Sequence, residues 1–171
     1  MHAIRERSFY APGGITMTIS RPLFRTTSIL VSLSLAAIAQ ERKLNRSQLP
    51  PAVEKTVQAQ SQGAKIKGIY TERESGKKVY EIEMVVKGHT RDLQIAESGT
   101  LNEVEEEVLI GSLSPEIQTA LRKKASGATI VKVESLTKDG VLVAYEAATL
   151  RGSKKGEIQV GPSGKSLSRP E

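Results

Sequence analysis

The stretch GAKIKGI, Gly63–Ile69, returns sixty-four positions later as GATIVKV, Gly127–Val133. Both begin with glycine and alanine and carry apolar residues at matching places, so the chain states one folding instruction twice. Each copy is preceded by a segment with helical spacing. Leu49-Pro50-Pro51 and Leu113-Ser114-Pro115 put proline where the first turn of a helix tolerates it, because the N–H that proline lacks has no partner inside the helix there. Val53 and Val57, echoed by Ile117 and Leu121, are four apart and share a helical face. Gly63 and Gly127 then supply the left-handed conformation that ends a helix. Each helix has a single apolar stripe and needs a surface to pack on.

Beyond each of these glycines the chain reads as strands separated by turn dipeptides: Ser75-Gly76, Lys87-Gly88 and Ser98-Gly99, then Asp139-Gly140 and Ser163-Gly164. In VYEIEMVV, Tyr80, Ile82, Met84 and Val86 fall on one face while Glu81 and Glu83 fall on the other. YEAATL repeats the start of this pattern with Tyr145-Glu146, now at an offset of sixty-five, so one residue slips between Gly68 and Tyr145. Leu93 and Ile95 correspond to Ile158 and Val160, and Gly99 to Gly164. The expected class is α+β. Two helix-plus-antiparallel-meander repeats, 49–108 and 109–164, form one continuous antiparallel sheet with two helices on one face. Half the apolar surface would leave one repeat marginal, so the two are expected to join across LNEVEEEVLIGS and share a core. Residues 165–171 are a polar tail.

The chain has 171 residues and a formal charge of +6. Several of its cations precede the repeats. Ser28–Ala39, SILVSLSLAAIA, is a short apolar run with an arginine-bearing flank and an Ala-Ile-Ala close. That is the form of a secretory signal peptide, and the run is too short for the roughly 20 residues that span a bilayer. Residues 1–39 are therefore read as a leader, Met17 as a start of more usual leader length, 40–48 as a linker, and the exported product as periplasmic or secreted with no stable membrane span. Without the leader's four arginines and single glutamate, the 25 Lys plus Arg and 19 Asp plus Glu fall to a net charge of +3. A mild balance with no basic stripe interleaved with aromatics does not favour nucleic acid as partner. No cysteine is present, so stability comes from burial and backbone pairing, and thiol nucleophiles or thiolate metal sites are ruled out.

The order LPPAVEKTVQAQSQGAKIKGIYTERESGKKVYEIEMVVKGHTRDLQIAESGTL resembles the PepSY-like family, also described as beta-lactamase-inhibitor-like or BLIP-like. The resemblance rests on the Leu-Pro-Pro helix start, the Gly-Ala-Lys-Ile and Val-Tyr-Glu-Ile strands, and the Asp-Leu-Gln-Ile strand ending at Ser98-Gly99. It extends over about 49–164. It implies an exported, non-enzymatic module, with relatives proposed to bind or restrain peptidases and inhibitor-like members docking through the uncovered sheet face. The second repeat departs from the pattern, with Ala147 and Thr149 in place of Ile82 and Met84 and a strand exit extended as RGSKKGE.

No catalytic, cofactor or metal constellation is expected. His89 stands alone at a turn, where a metal would need converging ligands and a nucleophile relay would need a buried partner. Gly161–Gly164, GPSG, reads as a turn and not a phosphate loop. Glu103, Glu105, Glu106 and Glu107 read as a solvated edge or linker whose like charges discourage edge pairing, the alternative function being an envelope-associated structural or ion-binding protein that uses this stretch. Tyr80 and Tyr145 are assigned to the core. Glu81, Glu83, Asp92, Gln94, Glu146, Glu157 and Gln159 fall on the opposite face, a solvated surface on the ordinary reading and the partner-facing surface if the resemblance holds. A protein partner, with a peptidase as the kind the resemblance implies, is the expectation.

Overall fold

The computed structural model describes residues 41–171; the reading of 1–39 as a leader lies outside the described residues. The elements run β1 (Arg42–Lys43), α1 (Pro51–Gln60), β2 (Ala64–Glu74), β3 (Lys77–Val86), β4 (His89–Ala96), β5 (Leu101–Glu107), α2 (Pro115–Ala125), β6 (Thr129–Lys138), β7 (Val141–Arg151) and β8 (Lys154–Val160). The eight strands form a single sheet in chain order, each antiparallel to the next. The architecture is α+β.

Turn chemistry sets this meander. At Ser75-Gly76, Lys87-Gly88 and Asp139-Gly140 both turn residues have positive φ, the requirement of the two-residue turn whose twist matches that of the strands. A further hairpin turn falls at Gly152-Ser153, between β7 and β8, so RGSKKGE is a turn with its flanking strands and not one extended exit. Ser114 caps α2, its Oγ accepting from the Ile117 N–H at 3.5 Å. The Arg122, Lys123 and Lys124 side chains at the other end of α2 suit the negative pole of its dipole.

Both helices cover the same side of the sheet. Val53 and Val57 of α1 pack with Ile69, Tyr80, Ile82, Met84, Leu93 and Ile95. Ile117 and Leu121 of α2 pack with Val133, Ala147 and Val160, and half-buried Tyr145 borders them. The register links the two sets, because Met84, Arg91, Glu106, Ser135, Tyr145 and Val160 stand in one cross-strand row. That row also explains a departure from expectation. The sheet is continuous, yet its apolar interior is two clusters rather than one shared core, since Arg91, Glu106 and Ser135 put polar side chains between them. The second cluster is also the thinner, because Ala147 pairs with Ile158 where Ile82 pairs with Leu93.

Leu101–Glu107 is neither an edge nor a linker. It is an interior strand, paired with β4 on one side and with β6 on the other. Its five rungs with β6, from Glu103 opposite Lys138 to Glu107 opposite Glu134, join the two halves. Bulges account for the irregular spacing in the sequence. Lys67 and Val131 are extra residues in β2 and β6, and Val143 is an extra residue in β7 opposite the step from Leu136 to Thr137. The change of offset from sixty-four to sixty-five falls at this last bulge.

Candidate functional site: the open face of the sheet

The side of the sheet away from the helices carries its polar residues in cross-strand rows. One row runs Tyr70, Glu81, Gln94, Glu103, Lys138. The next runs Gly68, Glu83, Asp92, Glu105, Leu136, Ala144. A third runs Glu107, Glu134, Glu146, Gln159, and beside it Lys132, Ala148 and Glu157 line up. All seven residues singled out from the alternation, Glu81, Glu83, Asp92, Gln94, Glu146, Glu157 and Gln159, therefore lie on this one face.

The face is less solvated than its composition suggests. Glu146 and Gln159 are each 8% exposed and Glu134 is 6% exposed, while Glu81, Glu83, Asp92, Gln94, Glu103 and Glu105 are half-buried. Long side chains about five ångströms apart on adjacent strands screen one another from water. Leu136 and Ala144, both buried, continue the row of Glu105 with apolar groups. At the far end Tyr70 lies across Gly68, where a Cβ would run into its ring and the Glu83 carboxylate. The glycine at the Lys67 bulge is thus what lets an aromatic ring lie flat on the face.

Crowded carboxylates in a poorly hydrated place resist ionisation. Burial, reinforced by Asp92 and Glu83, pushes Glu81 up to about 7. Burial and the nearby Glu134 push Asp92 up to about 7, with Lys132 acting the other way. Glu105 rises furthest, to about 8, from burial and then from Glu146, Glu134, Glu103 and Asp92. Glu146 rises to about 7 because it is buried, although the Gln159 amide donates to its Oε2 at 2.6 Å.

The tightest grouping is Asp92, Glu105 and Glu134, contributed by β4, β5 and β6, whose carboxylate oxygens lie within 4.8 Å of one another. Positive charge lowers the energy of such a group. The Lys132 ammonium stands 2.7 Å from Glu134, and burial with the neighbouring carboxylates favours the protonated forms of Asp92 and Glu105. The acidic run of β5 does not act as one cluster, because strand alternation divides it. Glu103 and Glu105 face this surface, the former 3.4 Å from Lys138. Glu106 lies in the row on the helix side. Glu107 accepts from the Thr90 N–H at 2.9 Å and lies 3.9 Å from exposed His89.

Glu103, Glu105 and Glu134 belong to the face although the alternation in the sequence does not assign them to it. Alternation carried from Glu146 back through the hairpin would have reached Glu134 had the bulge at Val143 not disturbed the phase of β7 against β6. The other two were obscured because a run of four glutamates in seven residues looks like a solvated segment.

No protein-family model matches the sequence, and no curated protein matches it. Solved structures do. A BLIP-like protein from Bacteroides fragilis matches with a TM-score of 0.53 at 17% identity, over 70% of this chain and 83% of its own. A DUF2874 family protein from Bacteroides ovatus matches with a TM-score of 0.55 at 15% identity, over 70% and 85%. A protein from Bacteroides eggerthii assigned to the periplasm matches with a TM-score of 0.57 at 12% identity, over 70% and 86%. Among the described residues no helix is long and apolar enough to cross a membrane. Likeness at this level of identity is one of architecture, and the fold of the chain is BLIP-like.

Proposed function

We propose that the chain is an exported, non-catalytic protein-binding module that docks its partner on the open face of the sheet. The observation that carries this reading is the face itself. Six interior and outer strands, β3 to β8, present half-buried carboxylates and amides there in aligned rows, with no helix among the described residues covering them. Side chains already held by their neighbours lose little freedom on binding, which favours a rigid docking surface. The likeness in fold to a BLIP-like protein and to a protein assigned to the periplasm supports both the binding role and a periplasmic or secreted location. A peptidase-restraining or inhibitory role is the specific form we infer.

The two halves are further inferred to be copies of one unit. Tyr80 pairs with Ile95 as Tyr145 pairs with Val160, and Glu81 with Gln94 as Glu146 with Gln159. Gly99 abuts the Ala52 carbonyl at the start of α1, as Gly164 abuts that of Glu116 in α2.

The test uses the 41–171 protein as bait in an extracytoplasmic extract, beside the double variant Glu81→Lys, Glu83→Lys. Wild type should capture a discrete protein at moderate salt and the variant should lose it while melting cooperatively. Equal capture by both proteins would remove the open face from the function.

A further inference from the structure

The two hydrophobic clusters are separate, so the halves are joined chiefly through the ladder between β5 and β6. That ladder has an unusual composition. Four of the five β5 residues in it are glutamates, and at its end Glu107 stands directly opposite Glu134. Like charges facing each other across strands oppose pairing. The opposition is tempered by Thr90, whose N–H donates to Glu107 at 2.9 Å and whose hydroxyl lies 3.5 Å from Glu134. On the open face, the Asp92, Glu105 and Glu134 carboxylates converge within 4.8 Å at this same join, with the Lys132 ammonium against Glu134.

We propose that the β4–β5–β6 junction is a proton-dependent clasp. Protons held by Asp92 and Glu105 beside the Lys132–Glu134 pair tighten the join between the halves, and their loss loosens it. Every neighbouring strand adds charge of the same sign. Glu83 of β3 flanks Asp92, and Glu103 of β5 flanks Glu105. Glu146 of β7 acts on Glu105, and Glu157 of β8 bears in turn on Glu146. Among the described residues, Lys132 stands 2.7 Å from Glu134 and also opposes the rise at Asp92, while Lys138 lies 3.4 Å from Glu103. Both carboxyls bind protons more tightly in the folded protein than in the unfolded chain, Asp92 up to about 7 and Glu105 up to about 8. The stabilising protonation is therefore complete below the ordinary carboxyl range and is lost as pH rises through 7 to 8. This device does not depend on the docking role.

The test compares amide exchange free energies, corrected for intrinsic rates, at pH 5.5 and pH 8.0. Protection of residues 103–107 and 134–138 should fall roughly tenfold or more relative to the β2–β3 ladder, in line with tenfold per unit of displaced pKa. In Glu105→Gln that relative fall should shrink, the remainder coming from Asp92. NMR titration of the Glu105 carboxyl in the wild type, with a midpoint near 8, keeps the test independent of how the variant folds. Junction amides that track the β2–β3 ladder, a carboxyl midpoint below pH 5.5, or an unchanged response in Glu105→Gln would each overturn the clasp. So would calcium reproducing the tightening at fixed pH, which would assign the junction to a metal instead of a proton.

Discussion

Truncating Ile82 probes the larger of the two clusters at its centre. The side chain has no exposed surface, sits opposite Leu93 and is surrounded by Val53, Tyr80, Met84 and Ile95. Ile82→Ala removes three carbons, worth about 2.4 kcal/mol at about 0.8 kcal/mol for each buried methylene. A residual cavity adds to this, because the strand-borne neighbours are anchored and only Met84 is flexible enough to lean in. The expected loss is about 3 kcal/mol, which lowers the melting temperature by roughly 10–15 °C for a domain of this size. Leu121→Ala in the second cluster should cost about 2–5 kcal/mol by the same mechanism. Because polar residues separate the clusters, the double variant should equal the sum of the singles within about 0.5 kcal/mol. Urea unfolding of the four proteins, with slopes compared, measures these quantities. A loss below about 1 kcal/mol for Ile82→Ala, or a coupling above about 1 kcal/mol, would refute the picture of two packed, independent clusters.

Other substitutions test single contacts. Gly68→Ala drives a methyl into the buried Tyr70 ring and should cost about 1–3 kcal/mol in chemical denaturation, with Tyr70 fluorescence altered. Gly99→Ala should be at least as damaging, since φ is +87° and its Cβ would fall 2.6 Å from the Ala52 carbonyl oxygen, which is backbone and cannot step aside. Ser114→Ala removes a long capping bond and should cost only about 0.5 kcal/mol by thermal melting. Glu146→Gln keeps an acceptor for the Gln159 amide and removes a charge that burial disfavours, Glu146 having been raised to about 7. It should raise the melting temperature at pH 8 and leave it nearly unchanged at pH 4.5, the sign required when protonation stabilises the fold.

The architecture was legible because its signals are local. Val53 with Val57 and Ile117 with Leu121 marked both helices, and serine-, lysine- and aspartate-glycine pairs marked hairpins that the structure contains. Tyr80 is buried as the alternation requires, while Tyr145 is only half-buried because the cluster beneath it is thin. Non-local pairing was harder to read. Nothing within LNEVEEE announces that both of its edges will be occupied, since strand propensity and solvation favour an exposed segment until β6 is placed beside it. For the same reason the alternation assigned Glu81 and Asp92 to a face but not to a poorly hydrated one. Their burial arises from Glu103, Glu105 and Glu134, which reach them only once the meander is assembled, and the bulge at Val143 hid that convergence.

The most direct test of the docking surface places a photoreactive side chain at Gln94 on the open face and, separately, at Lys55 on exposed α1, then irradiates each protein with the captured partner. A covalent adduct from position 94 and none from position 55 is the predicted result. Adducts from 55 alone would put the partner on the helical side and contradict the assignment.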